Sequence, residues 1–108
     1  MLGISAVSYD HTVEIPIRGV DGVLIRFSFS GRPIERYAVL LLVFRDGRWQ
    51  EARVYDNHLG THHLHRYSRT AGKHDAEAFH PGPTTAALPA AIQHLKDGWE
   101  NIILSWER

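Results

Sequence analysis

Apolar and polar side chains alternate through the first part of the chain. Val13, Ile15 and Ile17 alternate with Glu14 and Arg18, and Val23, Ile25, Phe27 and Phe29 alternate with Arg26, Ser28 and Ser30. This period of two is that of strands with one buried face. Asp21-Gly22 between the two runs predicts a hairpin turn. Ser30-Gly31-Arg32-Pro33 then breaks the chain, and residues 35–45 form an almost unbroken apolar run, the pattern of a central strand covered on both faces. Asp46-Gly47 is a second two-residue hairpin signal, leading into residues 48–56, where Ala52 and Val54 alternate with Glu51, Arg53 and Tyr55. A loop over residues 57–61 turns the chain into a fifth strand, from His62 to about Ser68. Residues 69–83, with Gly72, Pro81, Gly82 and Pro83, predict an irregular loop.

Beyond that loop the period changes. Leu88, Ile92, Leu95, Trp99, Ile102 and Trp106 recur at three and four residues, one apolar stripe on a helix capped by Thr84 or Thr85. Pro89 is tolerable only in its first turn. At Gly98 either the helix breaks or another backbone approaches closely. The expected fold is α+β: one domain over residues 1–108, with an antiparallel sheet of about five strands in meander order and a C-terminal helix packed on one face.

Composition narrows the class of protein. With 108 residues the chain holds one core, and 44% hydrophobic with 22% charged residues describes a soluble globular domain. Twelve basic against twelve acidic side chains leave no global field to draw it onto nucleic acid, so any such contact is local. The absence of cysteine excludes disulfides and thiolate metal sites, and is compatible with a reducing compartment. The longest apolar run, residues 38–44, is far short of the roughly 20 residues of a membrane span. With no signal-like N-terminus, the expectation is a cytoplasmic protein without a membrane partner.

Chemistry concentrates in one stretch. Five of the eight histidines lie between His58 and His74, together with Arg66, Arg69 and Lys73 and no carboxylate. Such a group suits proton transfer, metal binding or phosphate binding. Closing the hairpin with Asp56 opposite His62 sets Tyr55 opposite His63 and Arg53 opposite His65. Ala52, Val54 and Leu64 then share the buried face, while Glu51, Arg53, Tyr55, His63, His65 and Tyr67 converge on the other.

That second face holds the parts for metal-independent RNA cleavage without a cofactor. Glu51 or His63 serves as base, His65 as acid, and Arg53 with Arg66 or Arg69 as phosphate clamps, while Trp49 or Tyr67 stacks a base. Leu40, Leu42 and Phe44 fall on the same face, so part of it is covered, by the N-terminal strands or by a partner subunit as in a homodimer. A second reading is a metal-binding protein or enzyme: His63-x-His65 places two imidazoles on one side of a strand, with Asp56, His58, His74 or His80 to complete the set. In the third, the histidines are structural or serve a non-enzymatic partner-binding domain. His11 and His94 fit that role almost entirely, His74 and His80 mostly, and Trp99 and Trp106 belong to the core.

The string Tyr55-Asp56-Asn57-x-x-Gly60, followed by His63-x-His65 and Tyr67, resembles the signature of the TumE-type toxin family and of neighbouring small bacterial families. In these, Y-D-N, a glycine and an H-x-H pair share one hairpin. Leu95-Lys96-x-Gly98-Trp99-Glu100 is similar to the tail of the neighbouring families, and the first thirty residues match neither. The resemblance implies a small α+β toxin of a toxin–antitoxin pair, neutralised by an antitoxin protein. Asp56, Asn57, Gly60, His63 and His65 fall on its motif. It brings Asp56 into the catalytic set, and Tyr55 and Asn57 beside the substrate. Action on RNA is expected from the convergence of His63, His65, Arg53 and Glu51 taken together with the motif.

Overall fold

The computed structural model describes residues 8–58 and 60–108; Leu59, in the turn expected over 57–61, lies outside them. Six strands follow one another, β1 (His11–Pro16), β2 (Val23–Ser30), β3 (Arg36–Arg45), β4 (Arg48–Asp56), β5 (His62–Ser68) and β6 (Gly72–His80), and the helix α1 (Thr84–Glu107) follows them. The strands pair antiparallel in chain order, so the sheet is a simple meander, and α1 crosses one face of it. This is the α+β architecture that the hydrophobic pattern predicts, with one strand more.

Alternation gives the sheet two distinct faces. Val23 and Ile25 of β2, Tyr37, Val39, Leu41 and Val43 of β3, Tyr55 of β4 and Leu64 of β5 pack against Ala87, Leu88, Ala91, Leu95, Ile102, Ile103 and Trp106 of α1. Leu40, Leu42 and Phe44 point to the opposite, helix-free face, where Leu42 is buried by its neighbours while Phe44 is exposed. The N-terminal strands do not fold over that face. They extend the sheet beside β3.

The extra strand, β6, replaces most of the expected loop. It is the edge of the sheet and exposed along nearly all its length, so its side chains carry no apolar alternation. Backbone pairing to β5 defines it instead, and its Lys73, Asp75 and Glu77 keep an open edge from recruiting other strands. The turns differ in kind. Asp46 and Gly47, at φ 57° and 76°, form the tight turn with two positive φ values that suits a two-residue hairpin. The first connection is longer than a tight Asp21-Gly22 turn: β1 stops at Pro16, and Ile17 N–H donates to Val23 O at 3.2 Å to close the loop.

The helix departs from expectation at three points. Its N-cap is Pro83 rather than a threonine, with no side-chain cap. Pro89 lies in the second turn, where it removes one intrahelical bond, and its exposure keeps the ring out of the core. The helix continues through Gly98, where an added Cβ would meet only Ile102 Cδ1, at 3.7 Å.

Candidate functional site

One inserted residue decides where the expected site residues stand. Leu41 pairs with Arg53, but Leu42 pairs with Glu51, so Ala52 is the extra residue of a β-bulge. Side-chain direction reverses across it. Glu51 stands with Leu42 on the helix-free face, whereas Arg53 and Tyr55 stand with Leu41 and Val39 on the helix side. The β4–β5 register also differs by one from the expected one: Asp56 faces His63, Tyr55 faces Leu64, Val54 faces His65 and Arg53 faces Arg66. Tyr55 and Leu64 both enter the core beneath α1, which outweighs aligning the smaller Ala52 and Val54 with Leu64. The six side chains therefore do not share a face. Glu51, His63, His65 and Tyr67, with Asp56, occupy the helix-free face, and Arg53, Tyr55 and Arg66 the other.

On the helix-free face the histidines make few contacts. His63 reaches Thr61 Oγ1 at 3.1 Å, and His65 Nδ1–H donates to His74 O at 3.2 Å. Burial and the neighbouring Glu51 carboxylate push the Tyr67 hydroxyl well above the usual phenol range, so it keeps its proton. The motif residues of the hairpin act on backbone. Asn57 Oδ1 accepts Tyr37 N–H at 3.0 Å and its amide donates to Glu35 O at 2.7 Å, while Asp56 Oδ1 accepts His58 N–H at 3.2 Å. Gly60, at φ 87°, donates to Asn57 O at 3.0 Å.

His62 and His80 fasten the segment before the helix. His62 Nε2–H donates to Gly82 O and its Nδ1 accepts the Tyr37 hydroxyl proton, both at 2.9 Å, and His80 Nδ1 accepts Gly82 N–H at 3.0 Å. Among the described residues, no group of three or more His, Asp or Glu side chains is placed to hold a metal ion.

The pairing of β4 with β5 ends at Arg53 and Arg66. Beyond them the strands part, because the end of β5 is drawn to the end of α1. Arg69 N–H donates to Trp106 O at 2.8 Å, and the Arg69 guanidinium lies 5.7 Å from the Trp106 ring centre while gripping the Asp46 carboxylate at 2.8 and 2.9 Å. The resulting fork holds a cleft of about 430 Å³, lined by Arg26, Leu40, Leu42, Arg48, Trp49, Gln50, Glu51, Tyr67, Ser68, Arg69, Gly72 and Trp106. This is the size range of small-ligand sites.

At the apex of the fork, on the helix side, Arg53 is only 6% exposed, and its Nε is buried without a hydrogen-bond partner. It forms no ion pair among the described residues. Arg66 faces it across the ladder, half exposed, with its Nε on Glu77 Oε2 at 2.7 Å. Beside them the buried Tyr55 hydroxyl is hydrogen-bonded to His94 Nδ1, and Phe79 stacks on the His94 ring with centres 6.0 Å apart. Burial, reinforced by the charges of Arg53 and Arg66, lowers the His94 pKa and favours the neutral ring. Burial raises the pKa of Tyr55, with Arg53 pulling it back in part. Sequence reasoning missed His94. It belongs to no histidine motif and lies at the edge of the apolar helical stripe, one residue before the buried Leu95; only the fold brings it to Arg53.

The architecture defines a single-sheet α+β domain with an open cleft at a fork between two strands and, at the apex, a buried arginine that forms no ion pair among the described residues. The chain belongs to the DUF7718 family, a domain of unknown function, whose family model matches residues 9–108. Neither a curated protein nor a solved structure matches the chain.

Proposed function

We propose that this protein is an RNA-cleaving toxin of a toxin–antitoxin pair, which holds a backbone phosphate between Arg53 and Arg66 and moves protons through His94. The observation that carries the reading is the buried Arg53, which forms no ion pair among the described residues and whose Nε has no partner among them. A guanidinium cannot shed its charge, and a buried ion without a counter-charge costs several kcal/mol. A bound anion relieves that cost. Two arginines facing each other across a ladder present several N–H donors to one group, which suits the multiple oxygens of a phosphate.

His94 supplies the remaining chemistry. With Nδ1–H donating to the Tyr55 oxygen, Nε2 is left as a basic lone pair at the protein surface, and the lowered pKa keeps it unprotonated near neutrality. The 2′-oxygen of the ribose attacks phosphorus, passing its proton to Nε2. The bond to O5′ then breaks, and the imidazolium returns the proton to that oxygen, leaving a 2′,3′-cyclic phosphate and a 5′-hydroxyl. Tyr55, fully buried, is a positioning residue. Toxin status and an antitoxin partner rest on the hairpin resemblance over Tyr55 to Tyr67.

The test is inducible expression of four chains, wild type, His94→Gln, Arg53→Met and His63→Ala/His65→Ala, with growth, RNA integrity and folding followed. Wild type and the double variant should arrest growth and degrade RNA, and the other two should not. Relief of arrest by the double variant alone would move the chemistry to the helix-free face. A wild-type chain that neither slows growth nor degrades RNA refutes the toxin reading.

A further inference from the structure

The fork cleft contains a carboxylate without a counter-ion. Glu51 is half-buried on its wall and forms no ion pair among the described residues. The cationic side chains around it are unequally engaged. Arg26 is held by Glu14 at 2.7 and 2.9 Å and Arg69 by Asp46, which leaves Arg48 without an ion pair among the described residues. Trp49, 45% exposed, offers an indole face at the mouth. The cleft thus combines a carboxylate that accepts the Tyr67 hydroxyl and has lone pairs to spare, a guanidinium without an ion pair among the described residues, and an aromatic surface. Glu51 and Trp49 reach it from the helix-free face, and Arg48 from the other side of the open strand edge.

We infer that the cleft recognises a guanine base, with the Glu51 carboxylate accepting from N1–H and the N2 amino group, Arg48 donating to O6 and N7, and Trp49 stacking on the ring. Of the four RNA bases only guanine has two adjacent donors on one edge and two adjacent acceptors on another. Adenine and cytosine each set an acceptor beside their amino donor, and uracil flanks its single N–H with two acceptors, so each turns a lone pair towards the carboxylate. Arginine pairs with guanine O6 and N7 in a two-bond arrangement, and stacking on an aromatic side chain holds an unpaired base.

The cleft also adjoins the proposed phosphate site. Glu51 lies two residues before Arg53, about 7 Å along the strand, and Tyr67 follows Arg66 directly. The Glu51 and Arg53 side chains lie on opposite faces, and a base held by Glu51 reaches Arg53 with its phosphate through the gap where the strands part. The inference deepens the RNA reading by naming the base, while binding of a free nucleotide tests it alone.

The experiment is titration of the full chain with GMP, AMP, CMP and UMP, followed by tryptophan fluorescence, with inorganic phosphate titrated separately by thermal shift. GMP should bind about tenfold more tightly than the other three, the discrimination expected of one good two-bond contact. Glu51→Gln should abolish that preference and leave phosphate binding intact. Trp49→Ala, at an exposed position, should weaken all four nucleotides and serves where Glu51→Gln does not fold. Equal affinities for the four nucleotides, or a GMP preference undiminished in a folded Glu51→Gln, overturn the inference. Glu51-dependent GMP binding in a chain that leaves RNA intact upholds the pocket and refutes the nuclease reading. Cleavage of RNA without regard to base does the reverse.

Discussion

Replacing Arg53 by methionine should make the unliganded protein more stable while removing its affinity for phosphate. Arg53 is 6% exposed, and among the described residues its Nε lacks a partner and no carboxylate pairs with it, its one side-chain neighbour in hydrogen-bond reach being the Tyr55 hydroxyl. A buried polar group left unsatisfied costs about 1–3 kcal/mol, and exchanging buried ions for apolar side chains of similar volume is often stabilising by about 1–4 kcal/mol. Methionine retains a flexible unbranched stem that fills much of the same space. Arg53→Met should therefore gain about 1–2 kcal/mol in phosphate-free buffer, equivalent to about 4–8 °C in Tm for a domain of this size. Phosphate at ten times its dissociation constant should stabilise the wild type by about 1.4 kcal/mol through mass action and leave the variant unchanged. The order of stability then narrows or inverts as phosphate is added. Urea denaturation at two phosphate concentrations reads both terms. A variant destabilised by more than about 1 kcal/mol without phosphate, or wild type and variant stabilised equally by phosphate, would refute the reasoning.

The remaining predictions concern the helix, one turn and one titrating group. Gly98→Ala should stabilise the protein by about 0.5–1 kcal/mol in urea denaturation, since alanine is the better helix former and its Cβ meets only Ile102 Cδ1 at 3.7 Å. Gly31→Ala should lower stability by about 1–3 kcal/mol, because φ is 100° and the new Cβ would sit 2.8 Å from Pro33 O. The lowered pKa of His94 means that the unfolded chain binds its proton first as the pH falls through the ordinary imidazole value of 6.5. Stability should therefore decrease from that pH down to the folded-state pKa and level off below it, and His94→Gln should remove this part of the slope in denaturation curves collected across pH.

The parts of the fold legible in the sequence are those whose side chains face a core. β2 and β3 alternate against α1, and the stripe from Leu88 to Trp106 follows the helical period because one side of it is buried. The Asp46-Gly47 turn is legible for a different reason, the shortage of residues that tolerate two positive φ values. β6 was hidden because an exposed edge strand buries neither face, and its residues answer only to backbone pairing and solubility. The helix start was misread because Thr84 and Thr85 have the chemistry of a cap, yet the chain enters the helix from Pro83, in extended conformation at φ −71° and ψ 160°.

The site was less legible than the fold because strand parity is all-or-none. A period of two extrapolates correctly until one residue is added, and after that every side chain changes face. Ala52 is such a residue. Its small side chain packs in the core beside the bulge, so the apolar pattern around it reads equally well with or without an insertion. The insertion separates Glu51 from Arg53 and carries Arg53 beneath α1, where His94 arrives from 39 positions away along the chain from Tyr55. A local histidine cluster drew attention in the sequence, but its members mostly brace turns and neighbouring strands. The groups without a counter-charge among the described residues, Arg53 on one side of the fork and Glu51 on the other, are ordinary strand residues, and only that absence of an ion pair distinguishes them.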